Sequence, residues 1–413
     1  MLRILFSFFL LCVLPLHSDL LKTEGEGYLE SRHNQTILHV KGTPYEMGFQ
    51  HGKLLQEQIA RNIATYIDAP QAQGSGKVSD FIKKIPEVLT FIPEHFKEEM
   101  QGIADGSGLP LQKILILNLF PEMFHCSGIT VTGNATEDHS LYQVRVLDYG
   151  IGKNLQTTAT LIVAEPTGAH SFINVSYAGF IGSITGMNEE KISIGEIGGW
   201  GYGHWDGVPM AFLMREILEK ASSLEDAKKI LSGNKRTCEY YYIIADGKTE
   251  SSFAAYATES QIHFIEPSTT YALLAPKDLP KNYDSNGDHD KFFLSDCSLI
   301  TSEYQTVIKD KDGRVAALVH KQPDDTLLLT GFPYEERYPV LAERILASYG
   351  KLAVANLIDV VKEPVARPTN LHNAIFHPST LEIWIAHAGP NNEVACDQRY
   401  YYFQMNELLE RQQ

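Results

Sequence analysis

Apolar residues recur at intervals of three and four from Gly42 to about Ile67, the rhythm of a helix that buries one face. Thr43 is placed to cap it, and Pro44 fits its first turn. The rhythm returns from Ile82 to Leu119, interrupted at Gly106-Ser-Gly-Leu-Pro110, after a Gly/Ser/Gln loop from Pro70 to Ser79. Glu24 to Val40, ahead of both, reads as a short strand or extended entry. At His125 the pattern changes to short alternating runs. Cys126 opens a first strand, Asn134 to Ser140 form a polar turn, and Leu141 to Leu147 alternate as a second strand ending on Asp148-Tyr149-Gly150. Thr158 to Ala164, Phe172 to Ala178 and Ile192 to Ile197 are further β-type runs. Val208 to Leu231 predicts one amphipathic helix, with Pro209 in its first turn. Arg236 to Asp246 and Ser251 to Ala257 predict a hairpin, continued by Gln261 to Ile265. Ala275 to Gln305 is irregular and polar, a candidate rim for a site. Leu327 to Thr330 predicts a short strand, Arg337 to Tyr349 and Lys351 to Lys362 two helices. Asn370 to Phe376 and Leu381 to Ala386 predict paired strands, and Tyr400 to Met405 a last one.

Residues 19–125 thus read as mainly helical, and strands cluster after them with helices between. No internal repeat, low-complexity block or linker interrupts the order, which fits a layered α+β domain. The 413 residues are 44% hydrophobic and 21% charged, an ordinary globular balance. A formal net charge of -16 with no basic stripe argues against nucleic acid as a partner. It also leaves no polybasic means of holding an anionic membrane. Met1 to Ser18 reads as a secretory signal: Arg3 gives the positive start, and Ile4 to Leu16 is too short to span a bilayer. A secreted or periplasmic location follows, or the lysosome in a eukaryotic cell. An uncleaved anchor is the alternative.

Outside that leader the cysteines are Cys126, Cys238, Cys297 and Cys396, too few and too scattered for a disulfide scaffold, and no Cys-x-x-Cys pair exists. The histidines show no metal-ligand spacing, and no Gly-x-Ser-x-Gly elbow is present. No metal or cofactor is expected. Gly198 to Gly207 is a glycine/aromatic loop without the Gly-Lys-Ser/Thr of a phosphate cradle. Its Trp200, Tyr202, His204 and Trp205 are candidates to wall an apolar substrate pocket. Aromatics packed back on a sheet are the equal alternative. Asn34, Asn134 and Asn174 begin glycosylation sequons, which count only in a eukaryotic secretory route.

The chemistry concentrates on the hairpin from His125 to Tyr149. A thiol with an ordinary pKa of about 8.5 is a weak nucleophile at neutral pH unless its thiolate is favoured. Arg145, on the second strand, can favour it. Residues three apart on a strand face opposite ways, so Arg145 and Asp148 converge only if the strand ends or bulges near Leu147. An isolated Cys126 would read as a buried free cysteine and the charges as a surface pair.

The string is more particular than that. Cys126, a Gly-x-Ala-Thr-x-Asp-x-Ser-Leu turn and Arg145-x-x-Asp148 resemble the N-terminal-nucleophile cysteine hydrolases. The closest resemblance is to the acyl-CoA:6-aminopenicillanic acid acyltransferase group. Bile-salt hydrolases, penicillin V acylases and acid-ceramidase-type amidases are its relatives. Gly42-Thr-Pro-Tyr-Glu-Met-Gly-Phe-Gln-His-Gly52 also resembles that group's segment upstream of the cysteine, where His51 reads as a capping or buried residue rather than a catalytic one.

The resemblance implies self-cleavage between His125 and Cys126, after which the thiol is the nucleophile and the new α-amine its base. An α-amine of pKa about 8 suits that work, and Asp148 would hold the ammonium. It implies a four-layer αββα sandwich over 126–413, preceded by a helical propeptide or α-chain at 19–125 that stays associated after cleavage. A small N-acyl amide or acyl donor would be the substrate. Asn188 is similar in place to an asparagine serving the nucleophile, with a turn role as its alternative. Arg337 resembles the arginine of a Ser-x-x-Arg segment, although Tyr334 stands where the serine would be. The Thr-Asn pair that supplies an oxyanion donor in many relatives is missing: Leu274-Ala-Pro-Lys277 and Leu329-Thr-Gly331 both lack the asparagine. The Gly331 N–H or Asn188 would then substitute. Two rivals remain: a papain-like hydrolase pairing Cys126 with a remote His372, and a catalytically silent binding protein on the same fold.

Overall fold

Two large sheets organise the chain in the computed structural model, which describes residues 18–69, 83–119, 125–198, 205–274, 298–301, 305–309, 315–331 and 334–410. The strand that begins with the cysteine, His125–Val131, lies second from the edge of a six-stranded sheet. It is flanked by Thr326–Thr330 and by Tyr142–Asp148, and Asn370–His377, Glu382–His387 and Tyr401–Gln404 continue the order. Every pair in this sheet is antiparallel.

Alternation decides what each face meets. Ile129, Val131, Val144 and Val146 point one way, into a cluster with Tyr338, Leu341, Ile345, Leu357 and Val360 of the helices Tyr334–Ala347 and Val354–Val360. Gly128 and Thr130 point the other way, toward a ten-stranded sheet. The Thr130 hydroxyl lies 2.7 Å from that of Ser252. A Cβ on Gly128 would stand 2.7 Å from Ile197 Cδ1, so glycine lets the two sheets close together here. Ile173, Val175, Met187, Phe376 and Ile383 form apolar packing between the sheets farther along.

The ten-stranded sheet carries helices near its other residues: Phe172 and Val40 share a cluster with Met47, Phe96, Phe212 and Leu213. Its strands run Ser18–Glu24, Gly27–Arg32, Gln35–Gly42, Ala159–Pro166, Phe172–Tyr177, Thr185–Asn188, Ile192–Gly198, Tyr240–Asp246, Ser251–Ala257 and Ile262–Ile265. The chain crosses from Gln35–Gly42 to Ala159–Pro166 through the first helices and the cysteine hairpin, and these two strands pair in parallel.

Several expectations need correction. Residues 18–42 form three strands of this sheet, so the segment before Cys126 is strand and helix together. The single helix expected from Val208 to Leu231 is two, Met210–Lys220 and Leu224–Gly233, because Ser223 turns extended and caps the second through the Asp226 N–H. Thr185–Asn188, short and fully buried, adds an unexpected strand. Thr270–Leu274 and Ser298–Thr301 are strands of a separate four-stranded sheet, the second of them inside the stretch Ala275 to Gln305 that was expected to be irregular. Residues 1–17 of the expected leader, which was to end at Ser18, and most of 275–305 lie outside the described residues.

The upstream Gly-Thr-Pro-Tyr-Glu-Met-Gly-Phe-Gln-His-Gly string is accounted for by packing. Thr43 and Glu46 form a reciprocal capping box at the start of Pro44–Leu54. Gly48 and Gly52 then face Gly102 and Gly106 of the helix Glu94–Ser107. A Cβ on Gly48 would lie 1.9 Å from the Glu99 carbonyl, and one on Gly106 2.2 Å from that of Phe49. Only a glycine seam on both helices permits so close a crossing.

Candidate active site

Cys126 is opposite Leu147 in the ladder, and Arg145, two residues back, shares that face. Arg145 therefore lies under the thiol. Its Nη2 donates to Cys126 Sγ at 2.8 Å and to Glu196 Oε2 at 3.3 Å, and its Nη1 donates to the Val146 carbonyl. Cys126, Arg145 and Glu196 are each 0% exposed. Arg145 Nε is buried with no acceptor. Burial pushes the thiol up to about 12, with Arg145 pulling it down and Glu196 and Asp148 adding to the rise.

Asp148 faces the helical side, as regular alternation requires. Its Oδ2 accepts from Arg337 Nη2 at 2.5 Å, and its Oδ1 from the Arg367 N–H at 3.0 Å. Arg337 also donates to Ser127 Oγ at 2.6 Å and to the Val365 carbonyl. Arg145 and Asp148 thus do not converge. The register shift near them is on the partner strand, between Asn370 and His372. The two charged pairs sandwich the cysteine strand instead, Arg145–Glu196 against Cys126 and Arg337–Asp148 against Ser127. Burial raises the Asp148 carboxyl while Arg337 opposes it.

Asn188 is not part of this cluster. Its Nδ2 donates to the Leu218 and Ala221 carbonyls at 3.0 and 2.8 Å, and its Oδ1 accepts from the Ile192 N–H. Both amide hydrogens hold the end of Met210–Lys220. Thr185, three residues earlier, pairs with Gly195, which abuts Arg145. Asn188 is therefore about 10 Å farther along the sheet. Gly331 does lie against the cysteine, but its N–H donates to the Cys126 carbonyl at 2.6 Å. Neither expected substitute for the missing asparagine has a free donor.

His372 lines up with Cys126 through Leu147, two strand spacings or about 10 Å away. Its Nδ1 meets the Tyr177 hydroxyl at 2.8 Å and its Nε2 the Thr185 hydroxyl at 3.0 Å. Burial holds its pKa well below the ordinary histidine value. Trp200, Tyr202 and His204 lie outside the described residues; Trp205 is half-buried against the main core. The Asn174 sequon begins on a buried side chain that donates to the Gly182 carbonyl, whereas Asn34 and Asn134 are exposed.

Glu196 was missed by sequence reasoning. Its signal was a lone carboxylate inside the otherwise apolar run Ile192 to Ile197, since an unpaired glutamate is almost never fully buried.

Residues 135–271 match the family model described as acyl-coenzyme A:6-aminopenicillanic acid acyl-transferase. Over those residues, about a third of its length, the chain is similar to that family. The match takes in Arg145, Asp148, Asn188 and Glu196 and begins after Cys126. The chain is also similar to protein dcd1B of Dictyostelium discoideum, 29% identical over 58% of this chain and 54% of the relative. Acid ceramidase of Mus musculus is 30% identical over 48% of this chain and 55% of its own length. The chain thus spans about half the length of these curated relatives. Among solved structures, the Caenorhabditis elegans N-acylethanolamine-hydrolyzing acid amidase ortholog aligns over 67% of this chain and 100% of its own, at 13% identity and a TM-score of 0.39. Among the described residues, no helix is long and apolar enough to cross a membrane. None of their His, Cys, Asp and Glu groups could hold a metal ion.

Proposed function

We propose that this chain is a self-processing cysteine amidase or acyltransferase acting on small N-acyl amides. The observation that carries the reading is the Arg145 guanidinium 2.8 Å from a thiol at the start of a sheet strand, with the Arg337–Asp148 pair one residue on. The sheet-on-sheet packing with helices beyond reads as the αββα layering of the family. Residues 126–413 would be its core and 19–125 the companion chain, released from a leader at 1–18.

In processing, the thiol adds to the His125 carbonyl carbon, and the peptide C–N bond breaks as its nitrogen takes the proton. Water then hydrolyses the thioester, leaving a carboxylate on His125 and an α-amine on Cys126. In turnover, that amine takes the thiol proton as sulfur adds to the substrate acyl carbon. The substrate amine leaves with the proton, and the thioester passes its acyl group to water or to another amine. The oxyanion needs a donor at each addition. With the Asn188 and Gly331 donors committed, the acceptor-free Arg145 Nε takes that part.

The engagement of both His372 nitrogens with hydroxyls speaks against the papain-like alternative. N-terminal sequencing tests the main reading. Purified protein should give a second chain beginning at Cys126, associated with the first, and Cys126→Ala should stay intact. An uncleaved enzyme active on a panel of N-acyl amides would sink self-processing. A cleaved protein inert on the whole panel would favour the silent binding protein.

A further inference from the structure

The segment before Cys126 reaches across to one short loop of the chain after it. In residues 178–181 the backbone donors and acceptors are all bound, as buried backbone must be. Half of the partners come from the first segment. Asn62 Nδ2 donates to the Ala178 carbonyl at 2.8 Å, and the Gly179 N–H donates to His51 Nε2 at 2.9 Å. Asn118 takes two more: its Nδ2 donates to the Gly179 carbonyl at 2.9 Å, and its Oδ1 accepts from the Ile181 N–H at 2.8 Å. The three side chains are all buried and stand on three different helices, Pro44–Leu54, Gln56–Ile63 and Leu111–Leu119. Burial, with Arg215 nearby, holds the His51 imidazole down to about 3, so it stays a neutral acceptor. Gly179 takes a φ of 91°, and a Cβ there would stand 2.9 Å from Leu117 and 3.1 Å from Ile59, again in the first segment.

The other side of this loop belongs to the same apolar cluster as Cys126. The Tyr177 hydroxyl meets His372, which lies across Leu147 from Cys126. Tyr177, Phe180 and Ile184 line a small, mostly apolar cavity with Leu155 and Val175.

We infer that His51, Asn62 and Asn118 are positioning residues through which the first segment shapes the apolar ground around Tyr177 and Phe180, in the same core cluster as Cys126, and thereby sets which acyl chain is accepted. The inference rests on the amidase reading above. It makes the first segment a permanent working part of the enzyme, because its removal would release the loop.

The test takes the full chain, allowed to process, through N-acyl amides of increasing chain length. His51→Leu and Asn62→Ala are expected to raise KM about tenfold for the preferred chain, the loss of one well-placed buried hydrogen bond. They should also flatten the chain-length profile, while iodoacetamide alkylates Cys126 at the wild-type rate. His51→Gln, which restores an acceptor, should bring the profile back. A profile of unchanged shape, with activity merely following the folded fraction, overturns the inference. Should these variants not fold, hydrogen exchange in the processed wild type decides. The Gly179 and Ile181 N–H groups should exchange slowly, and more slowly still when Cys126 is acylated; exchange at open-loop rates overturns the inference. A wild type that turns over none of the amides sinks the amidase reading, and this inference with it.

Discussion

At the thiol, two charges compete. Arg145 favours the thiolate and Glu196 disfavours it, inside a pocket whose burial alone lifts the thiol far above its ordinary value. Glu196→Gln should therefore lower the thiol pKa and speed alkylation of processed enzyme at neutral pH. Arg145→Ala should slow it, because it removes the cation that favours the thiolate. Iodoacetamide kinetics across pH check both, and a slower reaction in Glu196→Gln would contradict this account of the pocket. Asn188 predicts the opposite kind of result. Asn188→Ala leaves the Leu218 and Ala221 carbonyls without their donor, so about 1–3 kcal/mol of stability should go while kcat holds. Thermal melts beside turnover measurements separate the two. The nearness of Cys126, Arg145 and Asp148 was legible because their spacing resembles a known string, while Arg337 came from a separate segment in which Tyr334 stands where a serine was expected. Glu196 was not, since a single carboxylate in a strand carries no spacing, and only the pairing with Tyr142–Asp148 across the sheets reveals its partner. Asn188 was misjudged because sequence position along a sheet says nothing about which end of the sheet is the reacting one.

Among the elements, the crossing of Pro44–Leu54 with Glu94–Ser107 is the tightest, and it explains four glycines without any catalytic role. Gly48→Ala would drive its Cβ to 1.9 Å from the Glu99 carbonyl, backbone that cannot rotate away. The helices would have to part, at a cost of about 3 kcal/mol, the upper end of ordinary overpacking. Gly150→Ala makes a useful contrast: no atom lies within 4 Å of its Cβ, yet its φ of 124° strains a side chain. Its cost should be smaller, and urea melts should rank the two in that order; equal midpoints would mean the seam is looser than drawn. Helix rhythm was legible where one face is buried, as along Pro44–Leu54, and strand rhythm where apolar and polar residues alternate, as along Tyr142–Asp148, although both faces of that strand are buried. Ser18–Glu24 was not, because five of its seven residues are exposed and it has no apolar face to read. The break at Ala221–Ser223 was hidden for another reason: the apolar spacing runs on across it, and only the Ser223 cap marks the new start.

On the scale of the whole molecule, cleavage at Cys126 would leave two chains joined across a buried charge cluster. Arg215, on Met210–Lys220, donates to Glu99 on the first segment at 3.1 Å and to Glu219 at 2.9 Å, while its guanidinium sits 4.3 Å above the Phe172 ring. His95 meets Glu219 at 3.2 Å. Two carboxylates against one guanidinium leave one negative charge too many in an apolar setting. Burial accordingly raises Glu99 to about 7, with Arg215 opposing and Glu219 adding, whereas the Glu219 carboxyl is lowered from its ordinary value. The sign for Glu99 follows from linkage. Below about 4.5 the group is protonated whether folded or unfolded, and its full stabilisation is present. As pH rises toward 7 the unfolded carboxyl ionises first, so stability drains away by roughly 3 kcal/mol in all. Glu219 works in the other direction and loses its contribution only as pH falls below about 4.5. His51, held neutral down to about 3, also opposes Glu99, since its unfolded form takes a proton below about 6.5. The wild-type curve therefore mixes opposed slopes, and the difference from a Glu99→Gln variant isolates the one of interest. That variant should be about as stable as wild type near pH 4.5 and gain on it steadily up to pH 7. Thermal melts of the purified protein at half-unit pH steps measure the difference. A gap that stays constant across that window would mean Glu99 is ionised throughout, and the junction between the chains would then be indifferent to acid.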